Sequence, residues 1–229
     1  MTRLIVLRFL YLALVLMLPL VSSGQSVFKE NQGMWLMFFN RTQLSEKWSI
    51  HNEIQDRSYD ITHKEEQLLL RTGLNYHLKK NLWLTAGYGY IESYPPEGTA
   101  RPTVIEHRIW QQVLHTHSLG RLGLEHRGRL EQRFVGDHYR DRIRYRLMAT
   151  VPITRERMAP KTFFATAYDE VFFHLEDTPY DRNRLYIAAG YQFSRAVNVQ
   201  TGWLAQNFSG KTKGYFQLGL FANILQPEK

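Results

Sequence analysis

The sequence predicts an all-β fold: an antiparallel transmembrane β-barrel of twelve strands, with ten as the alternative, around a polar lumen lined by Arg and Glu. Three observations carry this expectation. Segments of about ten residues alternate apolar and polar positions with a period of two, the length and pattern of a tilted strand crossing a bilayer. The polar positions of these segments are rich in Arg and Glu and poor in Lys, which suits packed ion pairs better than a solvated surface. An export signal precedes the first segment.

Composition removes the main competitors. Aromatic residues make up 14% of the chain, too many for a disordered one. Long stretches with the 3.6-residue period of a helical bundle are missing. The absence of cysteine excludes disulfide scaffolds, thiolate metal sites, iron–sulfur clusters and a lipidated N-terminal cysteine. Beyond the leader no apolar run approaches the ~20 residues of a spanning helix.

The first element is the leader. Arg3 and Arg8 form a basic start, Phe9 to Leu18 an uninterrupted apolar run, and Ser22-Ser23-Gly24 the small residues that a signal peptidase requires. Residues 1–24 are therefore expected to be a cleaved signal peptide, and 25–229 a single barrel domain. Losing the leader's two arginines lowers the net charge from +8 to +6. Export of a chain without thiols suits a Gram-negative envelope and points to the bacterial outer membrane.

Candidate strands follow at 32–40, 48–57, 66–77, 82–92, 104–115, 121–134, 138–151, 161–173, 183–193, 197–207 and 214–225. Such lengths are ordinary for barrels and long for a soluble sandwich. In 121–134, Leu122, Leu124, Leu130 and Phe134 share one face, opposite Arg121, Glu125, Arg127, Arg129, Glu131 and Arg133. In 138–151, Ile143, Tyr145, Leu147, Ala149 and Val151 oppose Arg142, Arg144 and Arg146. In 66–77, Leu68, Leu70, Leu74 and Tyr76 oppose Arg71, Gly73, Asn75 and His77. The last segment sets Phe216, Leu218, Leu220, Ala222 and Ile224 against Gln217, Gly219 and Asn223. Alternation alone does not say which face meets solvent. Glycines on the polar face, among them Gly73, Gly87 and Gly190, suit a narrow lumen where long side chains from across the barrel need room. Trp35, Trp48, Trp83, Tyr88, Tyr90 and Trp203, near segment ends, are expected to form the interfacial girdle.

The links alternate between short ones, such as Leu78–Asn81 and Ser194–Ala196, and longer ones, such as Ser93–Thr103. Short turns belong on the periplasmic side of such barrels. Eleven segments would then start the chain outside the cell, whereas bacterial single-chain barrels have even strand numbers. A further strand in Gln25–Asn31 resolves the conflict and gives twelve.

Inside the barrel the same parity predicts a charge ladder of Glu53, Arg71, Glu106, Glu125, Arg127, Arg129, Glu131, Arg133, Arg142, Arg144, Arg146, Glu170 and Arg184. Directly opposed inward residues of 121–134 and 138–151 must sum to an odd number, such as 275 or 277. That sets Glu131 against Arg144 or Arg146, and Arg133 against another arginine. Two facing arginines repel unless acids reach between them. Glu53, Glu106, Glu125 and Glu170 are the available partners, and a positive excess remains. Ion pairs that stiffen the wall are the first reading of this ladder. An anion pathway or acidic-ligand site is the second.

The chain has nine histidines that could carry chemistry. His115 and His117 flank a turn residue without further ligands at metal-site spacing, and His126 falls on the outward face. Ser93 and Ser209 lie near expected loops with no histidine beside them on the same strand. No Gly-x-Ser-x-Gly elbow, phosphate loop or His-Glu-x-x-His motif occurs, so neither an enzyme nor a cofactor or metal is expected.

Several runs together carry a resemblance. They are Trp48-Ser-Ile-His-Asn-Glu-Ile-Gln-Asp-Arg57, Leu124-Glu125-His126-Arg127-Gly-Arg-Leu-Glu-Gln-Arg133-Phe134, Arg142-Ile-Arg-Tyr-Arg146-Leu, Asp169-Glu170-Val-Phe-Phe and Asp181-Arg-Asn183-Arg184-Leu-Tyr. The pattern resembles a domain-of-unknown-function family of Gram-negative outer-membrane β-barrel proteins. The resemblance implies the barrel and its location and carries no activity. Leu225 followed by Gln226-Pro-Glu-Lys229 departs from the aromatic ending common in such barrels. The expected protein is thus a barrel with a filled, basic lumen, structural or passing narrow solutes. The alternatives are an outer-membrane enzyme acting on lipid or lipopolysaccharide, and a small anion-selective pore. Its expected partners are outer-membrane lipid and lipopolysaccharide, with the barrel-assembly machinery during biogenesis, and no nucleic acid.

Overall fold

The computed structural model describes residues 32–175, 179–208 and 210–224. The expected signal peptide, the possible strand in Gln25–Asn31, Ser209 and the tail from Leu225 lie outside the described residues. Eleven strands follow one another: β1 (Gly33–Gln43), β2 (Trp48–Ser58), β3 (Glu65–Lys79), β4 (Leu82–Ser93), β5 (Val104–Leu119), β6 (Leu122–Val135), β7 (His138–Pro152), β8 (Thr162–His174), β9 (Tyr180–Gln192), β10 (Val197–Phe208) and β11 (Lys211–Ile224). Every expected segment forms a strand, and no boundary moves by more than four residues.

The strands form one closed barrel in which each pairs with its sequence neighbours and β1 closes on β11. All neighbouring pairs are antiparallel except that closure. It is parallel, running from Gly33 opposite Tyr215 to Thr42 opposite Ile224. This corrects the expected count of twelve. An odd number of up-and-down strands leaves the first and last pointing the same way, and a parallel ladder joins them. Odd-stranded membrane barrels are known. With β2 on one side of β1 and β11 on the other, no edge remains for a twelfth strand.

At one rim lie the starts of β1 and β7 and the ends of β2 and β6, and the links there include 59–64, 94–103 and 136–137. The links 44–47, 80–81, 120–121, 153–161 and 193–196 lie at the other. Link length therefore does not sort cleanly by rim, since 136–137 is short and 153–161 long. The β6–β7 turn is Gly136-Asp137, with Gly136 at φ 55° and Val135 directly opposite His138. A positive φ at the first central position matches the twist of flanking strands and suits glycine. Gly136→Ala should cost roughly 1–2 kcal/mol, measured as a lower urea midpoint of the refolded protein.

Side chains alternate between wall and lumen as the period of two requires. Ile54, Ile109 and Phe216, on well-separated strands, face outward and are 48%, 47% and 48% exposed. Inward positions hold the charged residues together with a core that sequence reading did not foresee. Trp110, Phe172, Leu69, Ile91 and Leu204 are almost wholly buried, and Trp35, Tyr186, Leu204 and Tyr215 form one cluster. Trp110 explains two of the glycines. A Cβ on Gly73 would lie 2.8 Å from its indole, and one on Gly87 would collide with it. Gly87 is directly opposite Trp110, so the ring lies flat along neighbouring strands. The room is needed along the wall, not across the lumen as expected.

Candidate functional site

The lumen site is built mainly from β6, β7 and β8. Parity places Glu125, Arg127, Arg129, Glu131 and Arg133 of β6 inside, with Arg142, Arg144 and Arg146 of β7 beside them. Glu131 is opposite Arg142, Arg129 opposite Arg144, Arg127 opposite Arg146 and Arg133 opposite Arg140. Opposed residues sum to an odd number, as expected. However, Glu131 faces neither Arg144 nor Arg146, because the two-residue Gly136-Asp137 turn sets Val135 opposite His138 and fixes the sum at 273, below both expected registers.

Like charges thus face each other three times, and acids from neighbouring strands resolve the repulsion. Glu131 accepts from Arg142 Nη2 at 2.5 Å and Arg144 Nη1 at 2.7 Å, and it is fully buried. Glu170 accepts from Arg127 Nη2 at 2.6 Å and Arg144 Nη2 at 2.8 Å. Glu125 takes Arg146. Glu53 accepts from Arg71 Nη1 at 3.1 Å, and Glu106 accepts from Arg133 Nε at 2.8 Å. Arg184 donates to Gln206 Oε1 at 2.6 Å and lies 3.9 Å from Glu170. Arg129 donates to Gln112 Oε1 at 2.7 Å and reaches Glu131 only at 3.7 Å. All thirteen expected ladder residues therefore find partners inside the barrel, most of them in one network through Glu131 and Glu170, with Glu53–Arg71 and Glu125–Arg146 as separate pairs beside it.

The network has members that sequence reading missed. Arg108 lies 3.5 Å from Glu131 and donates to Glu106 at 2.5 Å. Asp181 pairs with Arg142 at 3.3 Å and Arg182 at 2.9 Å. The Glu106-x-Arg108-x-Trp110 alternation carried a signal for the first; Asp181 stood only at the head of a run that carries the family resemblance, with nothing to mark it as a lumen acid. Guanidiniums also stack on aromatic faces: Arg57 lies 3.8 Å above Trp35, Arg129 4.5 Å above Trp110 and Arg144 4.5 Å above Phe172. Such contacts hold the desolvated cations of Arg57 and Arg129, which have no close carboxylate among the described residues, and add to the two ion pairs of Arg144.

The aromatic expectations divide. Trp35 is 4% exposed inside the barrel, and Trp83 also points inward, under Arg41 and against His77. Neither belongs to a girdle; their parity on β1 and β4 decides this. Trp48 is exposed and packs on Tyr76. Tyr88 and Tyr90 face outward around His107, and Trp203 faces outward above Gly214.

His115, His117 and His126 stack on the outer wall with ring centres 5.2–6.1 Å apart, and Tyr145 hydroxyl lies 2.7 Å from His126 Nδ1. Among the described residues no three acids or histidines are placed to hold a metal ion. One serine does meet a histidine, Ser49 Oγ lying 2.8 Å from His77 Nε2. The neighbouring Asn75 donates to that serine and not to the histidine, and Ser49 is fully buried. A nucleophile without an orienting acid or access lacks the parts of a catalytic triad.

Below this belt of buried charges around Glu131, towards the rim of the 44–47 turn, the lumen holds a cavity of about 370 Å³. It extends from Glu170 and Arg144 to Thr116, Asn198 and Asn223 near that rim.

A family model described as Protein of unknown function (DUF2490) matches residues 32–217, from just before β1 into β11. No curated protein matches the chain.

Proposed function

Since the chain belongs to the DUF2490 family, a family of unknown function, we propose from its geometry that it is an integral outer-membrane barrel with a filled, basic lumen. Its role is structural or limited to the passage of narrow solutes. The observation that supports this most is the inversion of the usual soluble pattern. Large apolar side chains such as Leu74, Ile109, Ile143, Ile187 and Phe216 cover the outside, while Glu131, Glu170, Arg129 and Arg144 are buried inside. Exposed apolar patches on water-soluble monomers rarely exceed a few hundred Å², whereas here the apolar side chains recur around the circumference.

The polar groups that do face outward support the same reading. Tyr88 hydroxyl lies 2.5 Å from His107 Nδ1, Thr72 donates to Asn52 at 3.0 Å, and Gln111 and Gln132 exchange hydrogen bonds at 3.1 and 3.3 Å. A wall against hydrocarbon must satisfy its polar groups within itself. The fully buried Trp110, Phe172, Leu204 and Glu131 fill the middle of the lumen, which disfavours an open channel.

Fractionation with gel electrophoresis tests the reading. The protein should sediment with outer membranes, require detergent, and migrate differently before and after boiling. Solubility without detergent and an unshifted band would sink it. Planar-bilayer recording tests the lumen: conductance should be negligible, and replacing both Arg129 and Arg144 with Gln should raise it. A large, stable conductance of the unaltered protein would contradict a filled lumen.

A further inference from the structure

We propose that the lumen cavity binds a small multivalent oxyanion of the phosphate type. This goes beyond the barrel reading and rests on the interior alone. The space is small: at ~30 Å³ per water, about 370 Å³ holds roughly a dozen waters. A phosphate or pyrophosphate fits, and a polymer or acyl chain does not.

The charge is lopsided. Among the described residues eight arginines but only three glutamates, Glu53, Glu125 and Glu170, line the cavity. Internal pairing uses up those acids: Glu53 holds Arg71, Glu125 holds Arg146, and Glu170 is shared by Arg127, Arg144 and Arg184. Arg41 has no carboxylate within ion-pair distance among the described residues and rests on Trp83 at 4.5 Å. Arg57 is held by the side-chain carbonyls of Gln55 and Gln67.

The donors are incomplete as well as the charges. Nε of Arg71, Arg127 and Arg146, and Nη1 of Arg129, are buried without a hydrogen-bond acceptor among the described residues. A buried donor left unpaired costs about 1–3 kcal/mol, and here four gather on residues lining one cavity from β3, β6 and β7. Arginine's planar fork matches phosphate oxygens two at a time, and a desolvated basic pocket concentrates anions. An anion of a single charge would leave most of the excess standing, so the fitting ligand carries several. A lipid headgroup in the surrounding bilayer lies beyond the wall, which makes a free anion the occupant.

The test uses the detergent-refolded mature chain, shown to be folded by its unboiled gel mobility, and inorganic pyrophosphate followed by calorimetry against sodium chloride of equal ionic strength. One pyrophosphate per barrel should bind, and chloride should not replace it. Arg129→Gln and Arg41→Gln should each weaken binding at least tenfold. Arg41→Gln breaks no ion pair, so it reports on the site even if Arg129→Gln misfolds. Lys64→Gln, an exposed residue in the 59–64 link at the opposite rim, should leave affinity unchanged. No binding to the folded protein, full competition by chloride, or an affinity of both cavity variants equal to that of the unaltered protein would overturn the proposal. So would binding seen only when phosphatidate vesicles replace the free anion. A barrel that shifts on the gel yet binds nothing leaves the membrane reading standing.

Discussion

Glu131→Gln should destabilise the refolded barrel by about 3–5 kcal/mol, the range found when one partner of a buried ion pair is removed. The reason is the number of cations that depend on this one side chain. Its two oxygens receive Arg142 at 2.5 and 3.0 Å and Arg144 at 2.7 Å, with Arg108 at 3.5 Å. Glutamine keeps the shape but loses the charge, and it adds a donor that faces guanidinium groups. The three arginines then repel one another across a space that water does not reach. Glu125→Gln is the matched comparison. Glu125 is part-exposed, at 19%, and holds only Arg146 among the described ion pairs, so its loss should cost about 1 kcal/mol. Urea titration of both variants in the same detergent gives the difference. Equal midpoints for Glu131→Gln and the unaltered protein would show that the belt is solvated and carries little of the stability.

Trp110→Ala should cost about 3–5 kcal/mol, the usual range for truncating a large core aromatic. The indole is fully buried, it carries the guanidinium of Arg129 at 4.5 Å, and it lies over Gly73 and Gly87. That last contact makes the effect testable by reversal. In the unaltered barrel a Cβ on Gly73 would come within 2.8 Å of the ring, so Gly73→Ala should cost about 1–3 kcal/mol through overpacking. In the Trp110→Ala background the obstructing ring is gone. The same Gly73→Ala substitution should then cost much less, because the next nearest atom is the methyl of Thr85 at 3.1 Å. A double-mutant cycle read by urea unfolding measures the coupling. Additive effects would mean that the indole does not occupy the space above Gly73.

Much of the lumen was legible because a strand has only two faces. Glu125, Arg127, Arg129, Glu131 and Arg133 had to share one of them, and so did Arg142, Arg144 and Arg146. Trp35 and Trp83 show the limit of reading by position alone. Both stand near strand ends, where a girdle would place them, yet both have the parity of the lumen and stack beneath arginines. The same oversight hid the aromatic half of the interior. Being apolar, Trp110 and Phe172 were not singled out, but inside a belt with more arginines than acids their faces carry Arg129 and Arg184, whose nearest carboxylates lie 3.7 and 3.9 Å away.

By itself the sequence determined the strands, their order and which residues of a strand share a face, since all of these follow from a local period of two and from turn chemistry. The tertiary structure alone decided how the charges pair and how the barrel closes. Glu170 joins Arg127 across 43 residues, and Lys213 reaches Glu66 across 147. Such contacts depend on register accumulated over every intervening strand, and a one-residue shift of the turn centre to Gly136-Asp137 was enough to move Glu131 from Arg144 to Arg142. The odd strand number has the same origin. Each strand is specified by its own residues, whereas the parallel meeting of β1 and β11 exists only once all the others have been laid side by side.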